Sequence, residues 1–476
     1  MADGNPHLHD QSDPIDEQHV RGKFASRLGF MLAAVGSAVG LGNIWKFPYI
    51  TGENGGAAFI LIYLACIAVV ALPALLVEFS LGRHGQTSAI GTYRKIAPGT
   101  PWWLNGLMGV LAGFIILSFY SAVAGWVLKY MIVGIVDGYG TYTKEASGST
   151  FGAFIVQPVA PIVYQFIAML LTSVIIYAGI EKGIERASKY LVPLLGVILI
   201  LLVVRSVTLP GAEAGLAFMF KPDFSKLNAT SFLNAVGLAF FTLSVGMGAM
   251  MTYASYVGKE VHLGKTALQV AVFDTGVAIL SGIAIFPAVF AFDLEPSSGP
   301  GLIFITLPQI FAQMPMGRLV GIAFFFLIFI AALTSMISIM EPVVTWLVDD
   351  LNVRRHLATA SAGVAIFLVG VPACLSVDDA SVLGGIKIPF FGGSLKFFDL
   401  LDTVSQNFML PLGALGACLF LLLAWKRGAA IAEVAGTGGN TNSGMLQLWY
   451  WCAVTITPLG ILALLVHGVL GMIGKG

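Results

Sequence analysis

Three oxygen-bearing side chains lie inside apolar stretches of this sequence, where burial without a partner would be unfavourable. Asp274 stands in the run VAVFDTGVAILSG, and Thr334 and Ser335 are adjacent in IAALTSMISIMEP. A carboxylate inside hydrocarbon costs roughly 3 kcal/mol unless something compensates its charge. Asp274 is therefore predicted to bind a cation, with an ion pair or a helix-end position as the alternative. The two hydroxyls could bind a hard cation or instead bond the preceding helical turn.

Two glycine-rich segments interrupt apolar runs, namely GSAVGLGN (36–43) and TLSVGMG (242–248). Glycine weakens a helix interior by about 1 kcal/mol relative to alanine, so both segments favour local unwinding. Close helix packing through small residues is the alternative reading of either segment alone. Matching interruptions in two halves of a chain point to a binding site near the middle of the membrane.

Oxygen atoms next to these two segments suit Na⁺, and no thiolate or imidazole cluster indicates a transition metal. The side chains are Asn43, Thr242 and Ser244, and the backbone carbonyls are those of Gly36, Ala38 and Val39. Helix ends exposed by unwinding attract a carboxylate at the N-terminal end and a cation at the C-terminal end. The pattern therefore predicts a site for a zwitterion together with sodium.

Three further polar residues lie close to the same segments or to span ends. Tyr120 could donate its hydroxyl proton to a substrate carboxylate, or it could be a core tyrosine bonded elsewhere. Lys46 follows the first glycine segment, and Asp402 opens a later apolar run. Each charge alone would be interfacial, whereas as a pair they would close a gate.

These residues need a scaffold, and the composition indicates a membrane protein. Hydrophobic residues make up 57% of the 476 positions and charged residues only 11%, whereas soluble domains carry about 25% charged residues. Because about 20 apolar residues cross the hydrocarbon core, the fold class is predicted as all-α with about 11 transmembrane helices. The predicted spans are approximately 24–50, 57–82, 104–134, 161–178, 184–208, 229–256, 263–292, 318–350, 356–373, 400–425 and 446–474.

No connecting segment is long enough for a soluble domain, so residues 21–476 are predicted to form a single transmembrane domain. Residues 1–20 are polar and are predicted to be a disordered cytoplasmic tail. Most of the 25 Lys and Arg residues fall on the side of the N-terminus, which predicts a cytoplasmic N-terminus. An odd number of spans then places the C-terminus outside.

Several classes of function are not indicated. The formal net charge of +0 implies no nucleic-acid partner,. The four cysteines lie in apolar runs without a C-x-x-C pair, which is typical of small buried hydrophobic residues,. No nucleophile–base pair or nucleotide-binding loop is present, and His262 and His467 lie near span ends, so the chain is not predicted to be an enzyme.

Five motifs together resemble the neurotransmitter:sodium symporter family of the LeuT type. They are GSAVGLGNIWKFPY (36–49), ENGGAAF (53–59), FSLGR (79–83), FFTLSVGMGAMMTYASYV (240–257) and ALTSMISIMEP (332–342). The resemblance implies a 5+5 inverted repeat with broken helices 1 and 6, and transport by alternating access. Repeat one would cover about 24–208, repeat two about 229–425, and an extra span about 446–474.

The resemblance also implies roles for individual residues of the predicted site. A first sodium ion would contact Ala38, Asn43, Thr242 and Asp274. A second sodium ion would contact Gly36, Val39, Ala331, Thr334 and Ser335. The substrate pocket would be lined by Ser37, Ala38, Leu41, Gly42, Ile116, Tyr120, Phe241, Thr242, Ser244, Met247, Ser335 and Ile339, with Tyr120 and Phe241 as its outer lid. The gates would be Lys46 with Asp402 on one side and Arg21 with Asp349, near Tyr256, on the other.

The sequence departs from the family pattern at several positions. Lys46 replaces the usual arginine of the outer gate, and a lysine cannot make the same planar bidentate pair. Chloride-dependent members carry Gln and Ser where this chain has Leu238 and Ala278, while Asp274 supplies a negative charge directly. The resemblance therefore predicts sodium coupling by two ions and no chloride.

The resemblance and the mostly apolar pocket predict sodium-coupled import of neutral, hydrophobic or aromatic amino acids. A sodium-dependent amino-acid receptor or channel without concentrative transport is the alternative. The expected surroundings are membrane lipid in a bacterial inner membrane, as a multi-pass monomer or homodimer. Gly183 and Pro193 resemble a family motif that lets the fifth span unwind, with an ordinary glycine boundary and a proline kink as the alternative,.

Overall fold

The structure is a computed structural model that describes residues 21–143, 146–294, 301–391, 393–436 and 439–473. The predicted tail at 1–20 lies outside the described residues. Within the described part, the first half of the chain forms α1 Arg27–Ala38, α2 Phe47–Glu53, α3 Ala57–Cys66, α4 Leu72–Gly85, α5 Ala89–Ile96, α6 Trp103–Val136, α7 Ala146–Ile155, α8 Ala160–Tyr177, α9 Arg186–Val207 and α10 Ala212–Phe220.

The second half continues with a short 3₁₀ turn at Phe224–Lys226 and further helices. They are α11 Ala229–Thr242, α12 Ala249–Ala254, α13 Leu263–Ala291, α14 Leu307–Gln313, α15 Gly317–Asp349, α16 Arg355–Cys374, α17 Phe397–Val404, α18 Leu410–Leu423, α19 Arg427–Ala435, α20 Gly444–Trp451 and α21 Thr457–Ile473. A two-stranded antiparallel hairpin, β1 Ile388–Phe390 and β2 Gly393–Leu395, precedes α17. This small hairpin is the only β-structure among the described residues, and the membrane part is helical.

The described helices include nine continuous stretches that are long and apolar enough to cross a membrane. A tenth stretch consists of α1 and the segment Gly42–Glu53, which are bent by 45° at a short break. The predicted sixth span appears as α11 and α12 on either side of a second break. The helix content and the two interrupted spans confirm the predicted fold class.

Wide helical turns of the π type recur in the described residues, and their positions have a simple cause. Five of the six end two residues before a proline, and these are Gly42–Lys46, Ile67–Ala71, Leu302–Thr306, Ser405–Met409 and Cys452–Ile456. Proline lacks an N–H and its ring crowds the carbonyl four residues earlier, so a widened turn relieves the clash. The sixth, Ile180–Glu185, contains the predicted hinge residue Gly183.

The centre of the molecule is built around α1, α6 and α15. Helix α15 packs along much of α6, and α1 lies against α9, α13 and α15. Gly36 on α1 allows a close approach, because a Cβ at this position would lie 3.3 Å from the Cβ of Thr334 on α15. The two breaks therefore lie inside protein, as unwound backbone in a membrane requires.

Candidate functional site

The two chain breaks are joined by hydroxyl groups. The Ser244 hydroxyl, in the second break, donates to the backbone carbonyl of Ser37 at 2.9 Å. The Ser335 hydroxyl of α15 donates to the same carbonyl at 3.2 Å and to the carbonyl of Val39 at 3.4 Å. Carbonyls at the end of α1 thus lie close to side chains from both other elements, although they are 207 and 298 residues away in sequence.

Backbone conformation maintains the second break between Leu243 and Gly248. Ser244, Gly246 and Gly248 all have positive φ values, of 54°, 95° and 72°. A helix cannot continue through such residues, because right-handed helical turns need negative φ. Glu78 on α4 accepts a hydrogen bond from the N–H of Gly246 at 2.7 Å, which satisfies a donor that the unwinding exposes.

Tyr120 on α6 points its hydroxyl at the first break. This oxygen accepts a hydrogen bond from the N–H of Leu41 at 3.1 Å and can still donate its own proton. A Cβ at Gly40 would lie 3.0 Å from the Tyr120 hydroxyl and 2.4 Å from the Ser335 hydroxyl. Only glycine at position 40 leaves room for both hydroxyls.

Asp274 lies in the middle of α13, fully buried, rather than at a helix end. The Asn43 amide donates to its carboxylate oxygen Oδ1 at 2.7 Å and to its backbone carbonyl at 3.0 Å. Tyr63 on α3 has its hydroxyl 3.5 Å from Oδ2 of Asp274 and 3.1 Å from the Thr242 hydroxyl. No Lys or Arg among the described residues forms an ion pair with Asp274, so neutral donors alone hold this carboxylate.

Sequence reasoning missed Tyr63, which joins two predicted ligands of the first sodium ion. Its distance in sequence from Asp274 is 211 residues. A tyrosine in an apolar helix resembles any other core aromatic residue until the fold places its hydroxyl. The structure brings Asn43, Thr242, Asp274 and Tyr63 together around one small polar volume.

The residues predicted for the second sodium ion lie where α1 meets α15. Thr334 donates its hydroxyl proton to the carbonyls of Ile330 and Ala331, both at 3.1 Å, so it bonds the preceding helical turn as the alternative reading proposed. A donating hydroxyl oxygen keeps lone pairs free for a cation. Gly36, near the end of α1, lies next to Thr334, and Val39, directly after α1, lies next to Ser335.

The predicted apolar lining surrounds the breaks. A Cβ at Gly113 on α6 would lie 3.1 Å from the carbonyl of Ile339 and 4.0 Å from that of Met247, which brings α6, α15 and the second break together. Ile116 is fully buried on the same helix as Gly113. The ring of Phe241 packs on the backbone of Gly42, where a Cβ would lie 2.9 Å from the ring.

A cavity of about 370 Å³ extends from Tyr120 and Phe241 toward the side of the molecule opposite the N-terminal residues. Half of its lining residues are aromatic, and these are Trp45, Tyr49, Phe119, Tyr120, Trp126, Phe151, Phe241, Phe304 and Phe398. The Lys46 ammonium lies 4.6 Å from the centre of the Phe241 ring. We call this cavity the vestibule.

The two charges predicted to close a gate do not contact one another directly. Lys46 donates to the side-chain carbonyl of Gln406, and the amide of Gln406 donates to Asp402. The gate role of these two charges stays a prediction, and in the structure the neutral amide of Gln406 lies between them. Gln406 lies in the wide turn Ser405–Met409, shortly before Pro411. No sequence motif identifies this residue.

At the other end of the molecule, Arg21 and Asp349 form an ion pair with a nitrogen–oxygen distance of 3.1 Å. The Arg21 guanidinium also lies 4.6 Å from the centre of the Tyr256 ring. Tyr256 donates to Glu341 at 2.7 Å, and Arg355 pairs with the same carboxylate at 2.7 Å. The sequence reading missed Glu341 and Arg355, which extend this closure into a buried network.

Fold and site together define a secondary transporter with two broken helices around a central polar site. A family model described as the sodium:neurotransmitter symporter family matches residues 21–139 and 155–475, so the chain belongs to this family. Its members move solutes rather than catalyse reactions, and the multi-pass fold places the protein in a membrane.

The chain is similar to several sodium-dependent transporters along nearly its whole length. It is 40% identical over 440 residues to an uncharacterised sodium-dependent transporter, YhdH, of Bacillus subtilis, covering 92% of this chain and 96% of that protein. It is 35% identical to another uncharacterised sodium-dependent transporter, from Haemophilus influenzae, and the match covers 94% of this chain and 98% of that protein. The crystal structure of MhsT in complex with L-phenylalanine matches with a TM-score of 0.86 and 47% identity, covering 94% of this chain and 100% of that one.

Proposed function

We propose that this protein couples the entry of sodium to the uptake of a neutral amino acid with a hydrophobic or aromatic side chain. The observation that carries the proposal is the meeting of the two chain breaks beside a buried carboxylate without a cationic partner among the described residues. Sodium beside Asp274 would supply the missing positive charge. The substrate's carboxylate would then contact the same ion, which links the two binding events.

The substrate class follows from the chemistry of the pocket. The predicted side-chain end is formed by Ile116, Met247 and Ile339, which carry no charge and are buried. An acidic or basic side chain would lose its hydration here without a partner, and this is unfavourable. The bound L-phenylalanine in the MhsT structure supports an aromatic or large aliphatic substrate.

Chloride independence is part of the proposal. Leu238 and Ala278 are buried one helical turn from Thr242 and Asp274, respectively, and offer no hydrogen-bond donor to an anion. Asp274 itself provides the negative charge that chloride would otherwise bring close to sodium. An additional anion would be repelled by this carboxylate.

The energy available is sufficient for concentrative uptake. Moving one charge inward yields about 2.3 kcal/mol per 100 mV, and a tenfold sodium gradient adds about 1.4 kcal/mol. Two ions would supply roughly 7 kcal/mol, enough for a limiting accumulation of about five orders of magnitude. We place the Arg21 side in the cytoplasm of a bacterial inner membrane and the vestibule outside.

The test is uptake into proteoliposomes that contain the purified full-length protein. An inward sodium gradient should drive accumulation of labelled L-phenylalanine above equilibrium, whereas an equal potassium gradient should not. A competition panel of the 20 amino acids should favour neutral, large side chains. Replacement of chloride by gluconate should leave the rate unchanged. Sodium-dependent binding without accumulation would instead assign the chain to the receptor or channel class.

A further inference from the structure

The membrane-facing surface contains an apolar groove between α8 and α16, with a volume of about 310 Å³. Its floor is partly polar and consists of the buried residues Met169, Thr359 and Gly363 and the half-buried Ser173. Its walls are exposed apolar side chains, among them Leu170, Val174 and Val364. The groove is a different cavity from the vestibule and shares no lining residue with it.

Aromatic contacts between the two helices limit the groove at both ends. The rings of Phe166 and Phe367 lie 5.6 Å apart at the end near the middle of the membrane. The ring of Tyr177 lies 6.4 Å from that of His356 at the end near the Arg21 side. From Thr359 to Phe367 the helix rises about 12 Å, which fits within one leaflet of a hydrocarbon core of about 30 Å.

Gly363 keeps the groove deep. A Cβ at this position would lie 2.7 Å from the Ser173 hydroxyl, so a side chain here would occupy the floor. The buried hydroxyl of Thr359 has no hydrogen-bond partner among the described residues. The groove therefore combines an apolar channel with hydroxyl groups near its membrane-surface end.

Positive charge surrounds the end of the groove near Tyr177. Arg354 and Lys182 are exposed there, and neither forms an ion pair with a described residue. Arg355 donates to the carbonyl of Ile176 at 3.2 Å and so fixes the start of α16 to the end of α8. Glu181, which is also exposed, offsets one of these two positive charges.

We propose that this groove binds an anionic glycerophospholipid from the leaflet on the Arg21 side. One acyl chain would lie along Leu170, Val174 and Val364, and the phosphate would lie beside Arg354 and Lys182. The apolar channel and the positive end match the two chemical parts of such a lipid, which a second protein helix would not. Basic residues at this membrane surface are attracted to anionic lipid headgroups.

Native mass spectrometry of the full-length protein with dioleoyl phosphatidylglycerol or dioleoyl phosphatidylcholine tests the proposal. One phosphatidylglycerol should remain bound in preference to phosphatidylcholine. Ala360→Trp, in the groove wall, should weaken retention of phosphatidylglycerol by about tenfold because the acyl chain loses its place. Ala365→Trp is the matched control, since Ala365 is exposed on the same helix but does not line the groove.

A second variant separates the headgroup from the chain. Arg354→Gln should lower the preference for phosphatidylglycerol over phosphatidylcholine and leave phosphatidylcholine binding unchanged. The proposal would be overturned if Ala360→Trp and Ala365→Trp lost bound phosphatidylglycerol to the same extent. It would also be overturned if the unmodified protein retained phosphatidylglycerol and phosphatidylcholine equally. A dimer that Ala360→Trp converts to a monomer would assign the groove to a second copy of the chain and would also overturn it.

Discussion

Among the side chains of the site, Asp274 has the surroundings that most narrow the kind of ligand the site could bind. It is fully buried, and its described hydrogen-bond partners are the neutral groups of Asn43, Thr242 and Tyr63. A buried carboxylate without a compensating charge is unfavourable, and the proposed sodium ion would supply that charge. This requirement leads to the first prediction, which concerns sodium affinity.

Asp274→Asn is expected to raise the sodium concentration for half-maximal uptake by at least about tenfold, because a charge–charge attraction is lost. Tyr63→Phe should produce a smaller increase, since it removes one hydrogen bond to the same site. Sodium titrations of uptake in proteoliposomes measure both effects. Asp223→Asn, on the exposed segment before α11, is the control and should match the unmodified protein; unchanged sodium dependence in Asp274→Asn would refute the ion site.

Glu433 on α19 lies outside the membrane spans and links α19 to the end of α4. It pairs with Arg83 at 2.7 Å and contacts His84 at 3.2 Å. Burial alone would raise the pKa of Glu433, but the hydrogen bonds from His84 and Arg83 outweigh this effect and hold the pKa below its usual value of 4.5. A carboxyl group whose pKa is lower in the folded state stabilises the fold at any pH above its pKa in the unfolded state. This contribution is lost as the pH falls through its pKa in the folded state.

We therefore expect the contribution of Glu433 to the melting temperature of the purified protein to be constant above about pH 4.5. At lower pH this contribution should decrease, and the melting temperature should fall. Glu433→Gln removes the titrating group, so its melting temperature should be lower at neutral pH and should depend less on pH between about 5 and 3. Differential scanning fluorimetry across this range measures the difference. Parallel curves for the two proteins would contradict the prediction.

At the scale of elements, the break between α11 and α12 depends on Gly246. Its φ of 95° is unfavourable for any residue with a side chain, and a Cβ there would lie 2.1 Å from the carbonyl of Leu410. Gly246→Ala should destabilise the protein by about 2 kcal/mol or more and abolish substrate binding, because the backbone must move. Gly276→Ala on α13 is the control, since its added methyl meets open space. Thermal melting and sodium-dependent binding of labelled L-phenylalanine are the measurements.

The interruptions themselves could be predicted from sequence because glycine clusters in two apolar runs have a direct conformational meaning. The wide turns before Pro48, Pro73 and Pro411 could have been inferred from proline chemistry, but a proline alone does not reveal whether the helix kinks or widens. The hairpin of β1 and β2 is too short to produce a periodic pattern. The hairpin could therefore be identified only from the three-dimensional structure.

At the scale of the whole molecule, the two ends of the central site differ. The Arg21 end is closed by an ion pair and a buried network, whereas the other end contains the vestibule of about 370 Å³. The described arrangement is therefore closed at the Arg21 end and open at the vestibule end. Under the proposed transport cycle, the Arg21–Asp349 contact would have to break each time this end opens.

Arg21→Ala should increase the population of the state open at this end, because one closing contact is removed. Hydrogen exchange of residues 21–38 should become faster by about tenfold if the contact contributes about 1.4 kcal/mol. Arg94→Ala is the matched control, since Arg94 forms a more exposed ion pair with Asp350 on the same face. Equal exchange in both variants would show that the Arg21 pair does not maintain closure.

Long-range contacts explain why the site was predicted only in part. Resemblance to a family gave the set of candidate ligands, and local chemistry gave Asp274 and the glycine breaks. Tyr63, Gln406 and Glu341 each contact at least one partner more than 80 residues away in sequence, such as Tyr256, which is 85 residues from Glu341. No local pattern encodes such a contact.

The amide of Gln406 gives the vestibule side a latch without a direct bond between opposite charges. Opening it breaks two charge-assisted hydrogen bonds, from Lys46 to Gln406 and from Gln406 to Asp402, and separates the two charges,. Because Lys46 and Asp402 are both partly buried, added electrolyte screens their attraction less than that of an exposed ion pair,. A cell whose surroundings change from fresh to saline water would keep this latch at nearly constant strength.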